Sequence, residues 1–419
     1  MRELLRIELD YPPNYFHLGD LLADGRMGLL TVALCNDVVT AYDNGGRKRW
    51  FFRNDPDFDT RAGWPEIRFT PGGELIPQRL QPHSFKYGDP IVAKHPWGGL
   101  VWANAFILDG AWAGKALTWR YRLHLLDGTA GRELATRTFG VGPDGTPDQI
   151  ACVEPARFGA SPVLYVSALH SGLYCLDERL EVLWHLADQP PVLHRGFVGD
   201  VDADGCDEFV GGTIGYLQPG VCGYGPEAWF CLVDHDGRRL WRKEIGPGRE
   251  VEAFDRHVDW FWLGPDRIVL AEGYVFDAAG RLVCDLRSTL HGHLQTCHGT
   301  GGTDGVLYFT QREPPLVAQC DAQGRVLWTY DRFSAKRLHE GALVDWSGRG
   351  CREEYVVEEL PEEDDNGPLT TYVFGRDGRV LDTIAGGGMA RTGDWDGDGC
   401  DEIVLLGGAG YTDLRVLGR

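Results

Sequence analysis

A hairpin pattern recurs along the whole chain and limits the fold more than any other feature. Each copy runs from an alternating apolar segment through a polar turn into a second apolar segment, which often carries Trp. Turns rich in Asp, Asn and Gly adopt positive φ at low cost, so each copy predicts a β-hairpin. The seven copies are 41–52, 124–134, 174–186, 232–245, 275–286, 318–331 and 373–384.

A second pair of strands precedes these hairpins, as in PVLYVSALHSG before YCLD. Two pairs make one four-stranded antiparallel blade, and a repeat of about 40 to 50 residues is typical of β-propellers. The last repeat, from residue 393, lacks its closing hairpin, and the N-terminal segment MRELLRIEL can supply the missing strand. We therefore predict an all-β, eight-bladed β-propeller, with seven blades as the alternative, closed by pairing of the N-terminal strand with the C-terminal blade.

Composition is consistent with a single propeller domain over residues 1–419. The 57 Gly, 23 Pro and 14 Trp suit many short strands joined by tight turns, and propellers grow without splitting because each blade covers its neighbours. A formal charge of −21 argues against nucleic acid or an anionic membrane as the partner. With no signal peptide, no apolar transmembrane run and no C-x-x-C pair among 11 Cys, we expect a cytoplasmic protein, or a secreted one if a leader was removed.

Two acidic loops share one spacing, GDVDADGCDE at 199–208 and GDWDGDGCDE at 393–402. Carboxylates at alternate places, a Gly at the sixth place and an acid at the ninth supply the oxygen ligands and the sharp turn that Ca²⁺ requires. An EF-hand would keep its Glu at place twelve between helices, whereas a β-like segment follows each loop here. The alternative is an acidic turn that binds nothing. We expect two Ca²⁺ sites, formed by Asp200, Asp202, Asp204, the carbonyl of Cys206 and Glu208, and by Asp394, Asp396, Asp398, the carbonyl of Cys400 and Glu402.

Histidines recur just before the predicted innermost strands. His17, His83, His194 and His339 hold this position, and His170 stands in a loop predicted to open on the same face. Residues at such positions converge on one face of a propeller, so we expect a shared functional mouth. For each His the alternative is a structural, hydrogen-bonded role.

The acidic loops, set in a propeller repeat and preceded by a histidine in VLHRGFVGDVDADG, resemble the calcium-containing β-propeller polysaccharide lyases. The similarity is chiefly to the rhamnogalacturonan lyase type, and more distantly to ulvan lyases and to lyases that cut rhamnose from glucuronate. It is carried by 194–213 and 392–408. It implies a carbon–oxygen lyase that cleaves a uronic-acid-containing glycan, with rhamnose as a candidate neighbouring sugar. Such lyases carry more of these loops, and here 19–26 and 344–351 have lost the carboxylate spacing.

β-Elimination needs a base for the C5 proton, a cationic partner for the carboxylate and an acid for the leaving oxygen. His83 is the expected base, with Tyr87 or His95 as the acid. The expected substrate-binding residues are Lys94, Trp97, His170, His194, Arg195 and His339. The guanidinium of Arg195 can meet both carboxylate oxygens. Trp97, Trp102 and Trp112 form a candidate sugar platform, unless they fill blade interfaces.

Other functions remain open from the residues alone. Adhesion-type propellers carry the same loop without catalysis, so a carbohydrate- or protein-binding module is the first alternative. Quinone-dependent dehydrogenases share the propeller and the Leu-Trp hairpin ends and are the second. They usually carry a tryptophan-docking repeat and a disulfide at the cofactor, and neither is identified in the sequence. HGHLQTCH offers His291, His293 and His298 as zinc ligands. As substrate we expect an acidic polysaccharide or, given no export signal, a short acidic oligosaccharide.

Overall fold

The structure is a computed structural model that describes most of the chain. It describes all residues except 12, 34–37, 54–92, 95–98, 110–117, 141–147, 149, 169–170, 188–195, 214–226, 248–257, 264–265, 272–273, 287–293, 301–304, 312–313, 322, 335–336, 361–368 and 408–411.

The described residues form β-strands joined by turns, and they include no helix long and apolar enough to cross a membrane. In chain order the strands are β1 Arg2–Glu8, β2 Pro13–Gly19, β3 Gly28–Ala33, β4 Val38–Tyr42, β5 Lys48–Arg53, β6 Ala93–Lys94, β7 Leu100–Asp109, β8 Thr118–Asp127, β9 Glu133–Thr138, β10 Ile150–Phe158, β11 Ser161–Ala168, β12 Gly172–Leu176, β13 Val182–Leu186, β14 Phe197–Gly199, β15 Glu208–Thr213, β16 Glu227–Val233, β17 Arg239–Pro247, β18 Val258–Leu263, β19 Asp266–Ala271, β20 Tyr274–Asp277, β21 Leu282–Asp285, β22 Leu294–Gly299, β23 Val306–Gln311, β24 Leu316–Asp321, β25 Val326–Tyr330, β26 Arg337–Val344, β27 Glu354–Leu360, β28 Thr370–Phe374, β29 Val380–Ala385, β30 Gly388–Gly393, β31 Glu402–Gly407 and β32 Asp413–Gly418.

Within the described part of the chain these strands make eight four-stranded sheets, and the architecture is an all-β propeller. Seven sheets are meanders of four consecutive strands, β2–β5 through β26–β29, and the third and fourth strands of each coincide with one of the seven predicted hairpins. The eighth sheet has the order β1-β32-β31-β30. Its closure by the N-terminal strand is confirmed, since Arg2 pairs with Gly418 and Ile7 pairs with Leu414 in antiparallel register.

The chain divides into two compact units, which we describe separately. One comprises Leu9–Leu240 and Glu244–Arg249, and the other comprises Met1–Glu8, Trp241–Lys243 and Glu250–Arg419. In the second unit β18, β22, β26 and β30 lie next to one another in that order, and in the first unit β10 contacts β14. The first strands of successive sheets are therefore neighbours, as inner strands of adjacent blades must be.

Burial follows the position of a strand in its sheet. Every residue of β3 and of β31 is buried, whereas β5 and β13 present exposed side chains along the last edge of their sheets. A strand covered on both faces by neighbouring sheets becomes continuously apolar, and an edge strand does not. Cys175, Cys231 and Cys320 lie inside strands and are buried. Burial raises the pKa of Cys320 to about 12, so the thiol stays protonated.

A tryptophan on the last strand of one sheet docks on the hairpin turn of the next sheet. The indole N–H of Trp184 donates to the carbonyl of His235 over 2.7 Å, and that of Trp328 donates to the carbonyl of Arg376 over 3.0 Å. Trp50 and Trp241 make the same bond to Gly128 and Ala278. In all four cases a turn glycine with positive φ lies against the indole, and these glycines are Gly131, Gly237, Gly280 and Gly378.

A repeat of docked tryptophans, which was not identified in the sequence, is therefore present in the described residues. Its signal was present in the sequence, because the docking Trp follows the Asp that opens its own hairpin by seven positions, as in Asp177 to Trp184 and Asp321 to Trp328. The contact joins two repeats, so a pattern read within one repeat does not reveal it. The eight cysteines whose side chains the structure describes form no disulfide, so the cofactor disulfide has no counterpart among them.

We predict that the docking contact makes Gly378 intolerant of any side chain. Gly378 and Gly25 share a φ of +78°, but a Cβ on Gly378 would lie 2.8 Å from the Trp328 ring, whereas one on Gly25 meets nothing within 4 Å. Gly25→Ala should cost about 1 kcal/mol from backbone strain alone. Gly378→Ala should cost about 1 to 3 kcal/mol more from overpacking. Urea unfolding followed by intrinsic fluorescence measures both, and equal losses would contradict the tight docking.

Candidate metal centres

The first acidic loop joins β14 to β15 and is held by its own carboxylates. Asp200 accepts hydrogen bonds from the backbone amides of Asp204 and Gly205, both over 3.1 Å. Asp204 in turn accepts the amide of Cys206 over 2.8 Å. Gly205 has a φ of +90°, which only glycine adopts without strain. The sequence spacing thus produces a closed turn in which Asp200 and Asp204 accept backbone amides of the loop itself.

Glu208, the first residue of β15, is the buried acid of this loop. It is 1% exposed, its Oε2 accepts the amide of Val201 over 2.6 Å, and its Oε1 has no hydrogen-bond partner. Carboxylate oxygens of Asp200, Asp202 and Glu208 lie within 4.8 Å of one another. Burial, reinforced by the charges of Asp202 and Asp204, raises the pKa of Glu208 to about 7. A cation at the centre of these oxygens would remove that electrostatic cost.

The second acidic loop, between β30 and β31, repeats this arrangement. Asp394 accepts the amides of Gly397 and Gly399 over 2.8 and 3.2 Å. Glu402 accepts the amide of Trp395 over 2.7 Å and is 3% exposed. Oxygens of Asp394, Asp396 and Glu402 lie within 4.8 Å of one another. Burial, with the nearby charge of Asp396, raises the pKa of Glu402 to about 7. The two donor sets therefore match in geometry and in electrostatics.

Each acidic loop also fastens its sheet to the preceding one. Asp207 accepts the amide of Arg157 over 2.8 Å, and its own carbonyl accepts the hydroxyl of Tyr165 over 2.7 Å. In the second loop Asp401 accepts the amide of Asp345 over 2.8 Å and pairs with Arg352 over 2.8 Å. Anything that orders these loops therefore also orders the contact between neighbouring sheets.

Two further loops keep the turn but not the carboxylates. Asp20 accepts the amides of Asp24 and Gly25 over 2.9 and 3.0 Å. Asp345 accepts the amides of Arg349 and Gly350 over 2.8 and 2.7 Å. The expectation that 19–26 and 344–351 lack the ligand set is consistent with this geometry. The turn forms without the full carboxylate set, so the additional acids in the other two loops serve something other than folding of the turn.

The acidic loops lie at the end of the first strand of their sheets. They follow Gly199 and Gly393, which end β14 and β30. Two of the histidines predicted to precede such strands lie within them instead, His17 in β2 and His339 in β26.

Most of the predicted catalytic and substrate-binding residues lie outside the described residues. These are His83, Tyr87, His95, Trp97, His170, His194 and Arg195, and also Trp112, His291 and His293. Lys94 and His339 are placed by their backbone alone. Lys94 pairs with Trp102 between β6 and β7. His339 was expected to precede its strand, but it lies within β26, where the register shifts between Leu338 and Gly341.

Beside this irregularity lies a group of polar residues that the sequence analysis did not select. Glu359, opposite Leu338, accepts the hydroxyl of Ser334 over 2.9 Å and that of Tyr372 over 2.7 Å. Glu359 is 4% exposed. Burial, and next the bond to Glu359, raise the pKa of Tyr372 above its usual range. The only signal in the sequence was a pair of acids, Glu358 and Glu359, inside an otherwise apolar strand, which is costly unless they are bonded.

Trp102 does not belong to a sugar platform. Its side chain is 1% exposed and packs in the buried cluster that includes Tyr121, Leu123 and Leu125. The alternative of interface packing is therefore correct for this residue. A tryptophan in a strand of alternating pattern has no sequence mark that tells which face it takes.

His235 and Asp234 are a second pair that the sequence analysis missed. They lie in the hairpin turn between β16 and β17, next to the first acidic loop. The Nδ1 of His235 is 3.4 Å from Asp204 Oδ2 and 3.7 Å from Glu208 Oε1. The sequence signal was the His in LVDHDGRRLW, but this segment was interpreted only as one copy of the hairpin repeat.

Comparisons with known proteins support the fold. No protein-family model and no curated protein sequence matches this chain. Among solved structures, the exotype rhamnogalacturonan lyase YesX is similar at 15% identity and a TM-score of 0.58, over 99% of this chain and 75% of that one. BamB from Moraxella catarrhalis is similar at 13% identity and a TM-score of 0.51, over 99% of this chain and 98% of that one. Likeness at such identities establishes the propeller architecture.

We predict that chelator-treated protein takes up two Ca²⁺ ions, one in each complete loop. Asp202→Asn and Asp396→Asn should each abolish one of them, because Ca²⁺ requires charged oxygen donors at these places. Asp24→Asn, in the incomplete loop, is the matched control and should leave both. Isothermal titration calorimetry counts the sites. Saturating Ca²⁺ at about 100 times the Kd should add about 2.7 kcal/mol of stability per site. An identical count in all four proteins would contradict the assignment.

Proposed function

We propose that this protein is an oligosaccharide or polysaccharide lyase that cleaves a uronic-acid-containing glycan by β-elimination on a single eight-bladed propeller. The observation that carries the proposal is the coincidence of two complete acidic loops with a backbone that follows a rhamnogalacturonan lyase over 99% of its length. The eight described sheets, closed by β1 on β32, support the blade number.

The reaction divides among three kinds of group. In the proposal His83 takes the C5 proton, and Tyr87 or His95 donates a proton to the departing oxygen. Lys94, His170, His194, Arg195 and His339 hold the carboxylate as charge builds on it, and Trp97 stacks on a sugar face. Cationic donors stabilise such charge most in a site from which water is excluded. The net charge of −21 leaves an acidic substrate dependent on this local cluster for attraction.

The two Ca²⁺ ions are proposed to be structural. Each loop bridges two sheets through Asp207 or Asp401. An ion there would neutralise the buried carboxylates of Glu208 and Glu402 and hold neighbouring sheets in register. Its removal should lower stability more than it lowers the rate of an intact active site.

A non-catalytic binding propeller is the second candidate. The backbone likeness to BamB, over 98% of that chain, favours it, since one propeller scaffold can carry unrelated functions. The four docking tryptophans favour the quinone-dependent dehydrogenases in turn, because these share that repeat. The eight cysteines whose side chains the structure describes form no disulfide, which removes one part of that likeness.

Ultraviolet absorbance separates these functions. β-Elimination leaves a conjugated unsaturated uronate, so pectic, ulvan-derived and gum-derived acidic oligosaccharides should give rising absorbance with a lyase and none with a binding module. His83→Ala should lower kcat by about 10²- to 10⁴-fold, as expected for loss of a general base. His185→Ala is the matched histidine control, because this exposed ring stacks on Tyr174 at 4.0 Å.

Two outcomes would count against the proposal. Absorbance that fails to rise with every oligosaccharide, combined with saturable glycan binding by calorimetry, would establish the binding module. Absorbance that rises equally in the His83 variant would keep the lyase but exclude this base. If the ions are structural, chelated protein should still cleave the glycan at low temperature. On heating, it should lose activity at a lower temperature than protein that keeps its Ca²⁺.

A further inference from the structure

The hairpin turn that follows β16 places two side chains that the proposed Ca²⁺ sites do not use, Asp234 and His235, beside acids of the first acidic loop. His235 Nδ1 lies 2.8 Å from Asp234 Oδ1, 3.4 Å from Asp204 Oδ2 and 3.7 Å from Glu208 Oε1. Donor atoms of Glu208, Asp234 and His235 lie within 4.8 Å of one another, and so do those of Asp204, Cys206 and His235. One imidazole thus faces three carboxylates and a thiol.

The Oδ1 of Asp234 accepts no backbone amide of its own hairpin turn, unlike the Oδ1 of the Asp residues at the same position in other sheets. In five other sheets the Asp that opens this hairpin turns its Oδ1 onto backbone amides of its own turn, as Asp43 does to Arg47 and Asp277 does to Arg281. Asp234 is 9% exposed, yet its Oδ1 has no hydrogen-bond partner and is directed to His235. The turn therefore gives up its usual capping bond and aims a buried carboxylate oxygen into the cluster.

Glu208 adds a second unpartnered oxygen. Its Oε2 is used by the amide of Val201, whereas its Oε1 is buried without a hydrogen-bond partner and faces His235. A buried, unpaired carboxylate oxygen costs free energy that a bound cation recovers. The Nδ1 of His235 likewise lacks a hydrogen bond in acceptable geometry. Three orphaned donor atoms therefore converge on one small volume.

The backbone of His235 is fixed independently of any ion. Its carbonyl accepts the indole N–H of Trp184 over 2.7 Å, and its ring meets Phe158 edge-on at 5.7 Å. Gly237, two residues on, packs against the Trp184 indole. The tryptophan dock thus holds the imidazole against the acidic loop, and a preorganised ligand loses little entropy on binding.

The other complete acidic loop serves as an internal comparison. In the sheet of the first acidic loop, Phe209 pairs with Val233, so Glu208 stands opposite Asp234 one step further along. In the last sheet Ile403 pairs with Leu417, so the corresponding positions are Gly418 and Arg419. Neither residue there offers a nitrogen or oxygen ligand side chain for a cation, and among the described residues the second loop forms no cluster that includes histidine. The extra donors belong to one loop alone.

We propose that Glu208, Asp234 and His235 bind a Zn²⁺-class ion beside the first acidic loop, with Asp204 completing the shell. Imidazole nitrogen selects zinc and its neighbours over Ca²⁺, which takes oxygen ligands. Bonds of about 2.0 to 2.2 Å in a tetrahedral site place ligand atoms about 3.4 Å apart. The separations from His235 to Asp204 and Glu208 are 3.4 and 3.7 Å, close to this value, and the separation to Asp234 is shorter, at 2.8 Å. Asp204 and Glu208 are shared with the proposed Ca²⁺ site, so the two ions form a bridged pair that ties the β14–β15 loop to the β16–β17 turn.

The test uses the full chain after chelation, resupplied with Ca²⁺ and then titrated with Co²⁺ or Zn²⁺ alone. Wild-type protein should bind one Zn²⁺ that depends on His235, and Co²⁺ should show the visible absorption of a four-coordinate site. His235→Ala should weaken that binding by at least about 10-fold and remove the Co²⁺ absorption. His235→Gln keeps the bulk of the side chain if the alanine variant folds poorly, and circular dichroism checks folding.

Matched controls separate this site from the others. His185→Ala removes an exposed histidine elsewhere and should change nothing. Asp396→Asn should remove a Ca²⁺ and leave the Zn²⁺. Asp234→Asn should weaken Zn²⁺ but spare both Ca²⁺ ions, because Asp234 is not in the Ca²⁺ ligand set. Equal Zn²⁺ affinity in wild type and in the His235 variants would overturn the inference, as would full displacement of Co²⁺ by excess Ca²⁺. Wild-type protein that binds Zn²⁺ through His235 but takes up no Ca²⁺ would contradict the calcium proposal and support the Zn²⁺ site.

Discussion

The contact between one sheet's last strand and the next sheet's hairpin turn is the constraint on which this architecture rests. Four-stranded sheets present two apolar faces, and neither is stable until a neighbouring sheet covers it. The indole of Trp184 or Trp328 fills that junction, and its N–H bonds a turn carbonyl that would otherwise be buried without a partner. A glycine at positive φ is needed there, because any Cβ would enter the ring. Hydrophobic burial, hydrogen bonding and backbone conformation are thus satisfied by the same pair of residues.

The acidic loops also join neighbouring sheets, but through carboxylates and not through an indole. Their turns are built by backbone amides bonding to Asp200 and Asp394, a pattern that the loop at Asp345 also makes with fewer acids. The additional acids leave Glu208 and Glu402 buried among like charges, which raises the pKa of both. A chain gains nothing in stability from that arrangement alone, since like charges repel and burial disfavours ionisation. A bound cation is the simplest compensation.

The site was predictable where it depends on spacing along the chain and unpredictable where it depends on contacts between repeats. The ligand set around Asp202 and Asp396 follows from alternate carboxylates and a glycine, all within one turn. The cluster at His235 does not, because Asp204 and Asp234 meet only after β15 and β16 pair. Trp102 stayed open between a sugar platform and a blade interface for a related reason, since a period-two pattern defines two faces without saying which one a neighbouring sheet covers.

The sequence by itself determined the hairpins, the pairing of the N-terminal strand with the C-terminal sheet, and the two acidic loops. These are local patterns, in which turn chemistry and alternation act over a few residues. Only the tertiary structure decided that four tryptophans dock on the turns of the next repeat, that Glu359 is satisfied by Ser334 and Tyr372, and that an imidazole faces Glu208. Each joins residues from different strands or sheets, and their approach is set by strand register and sheet packing, which no single repeat encodes.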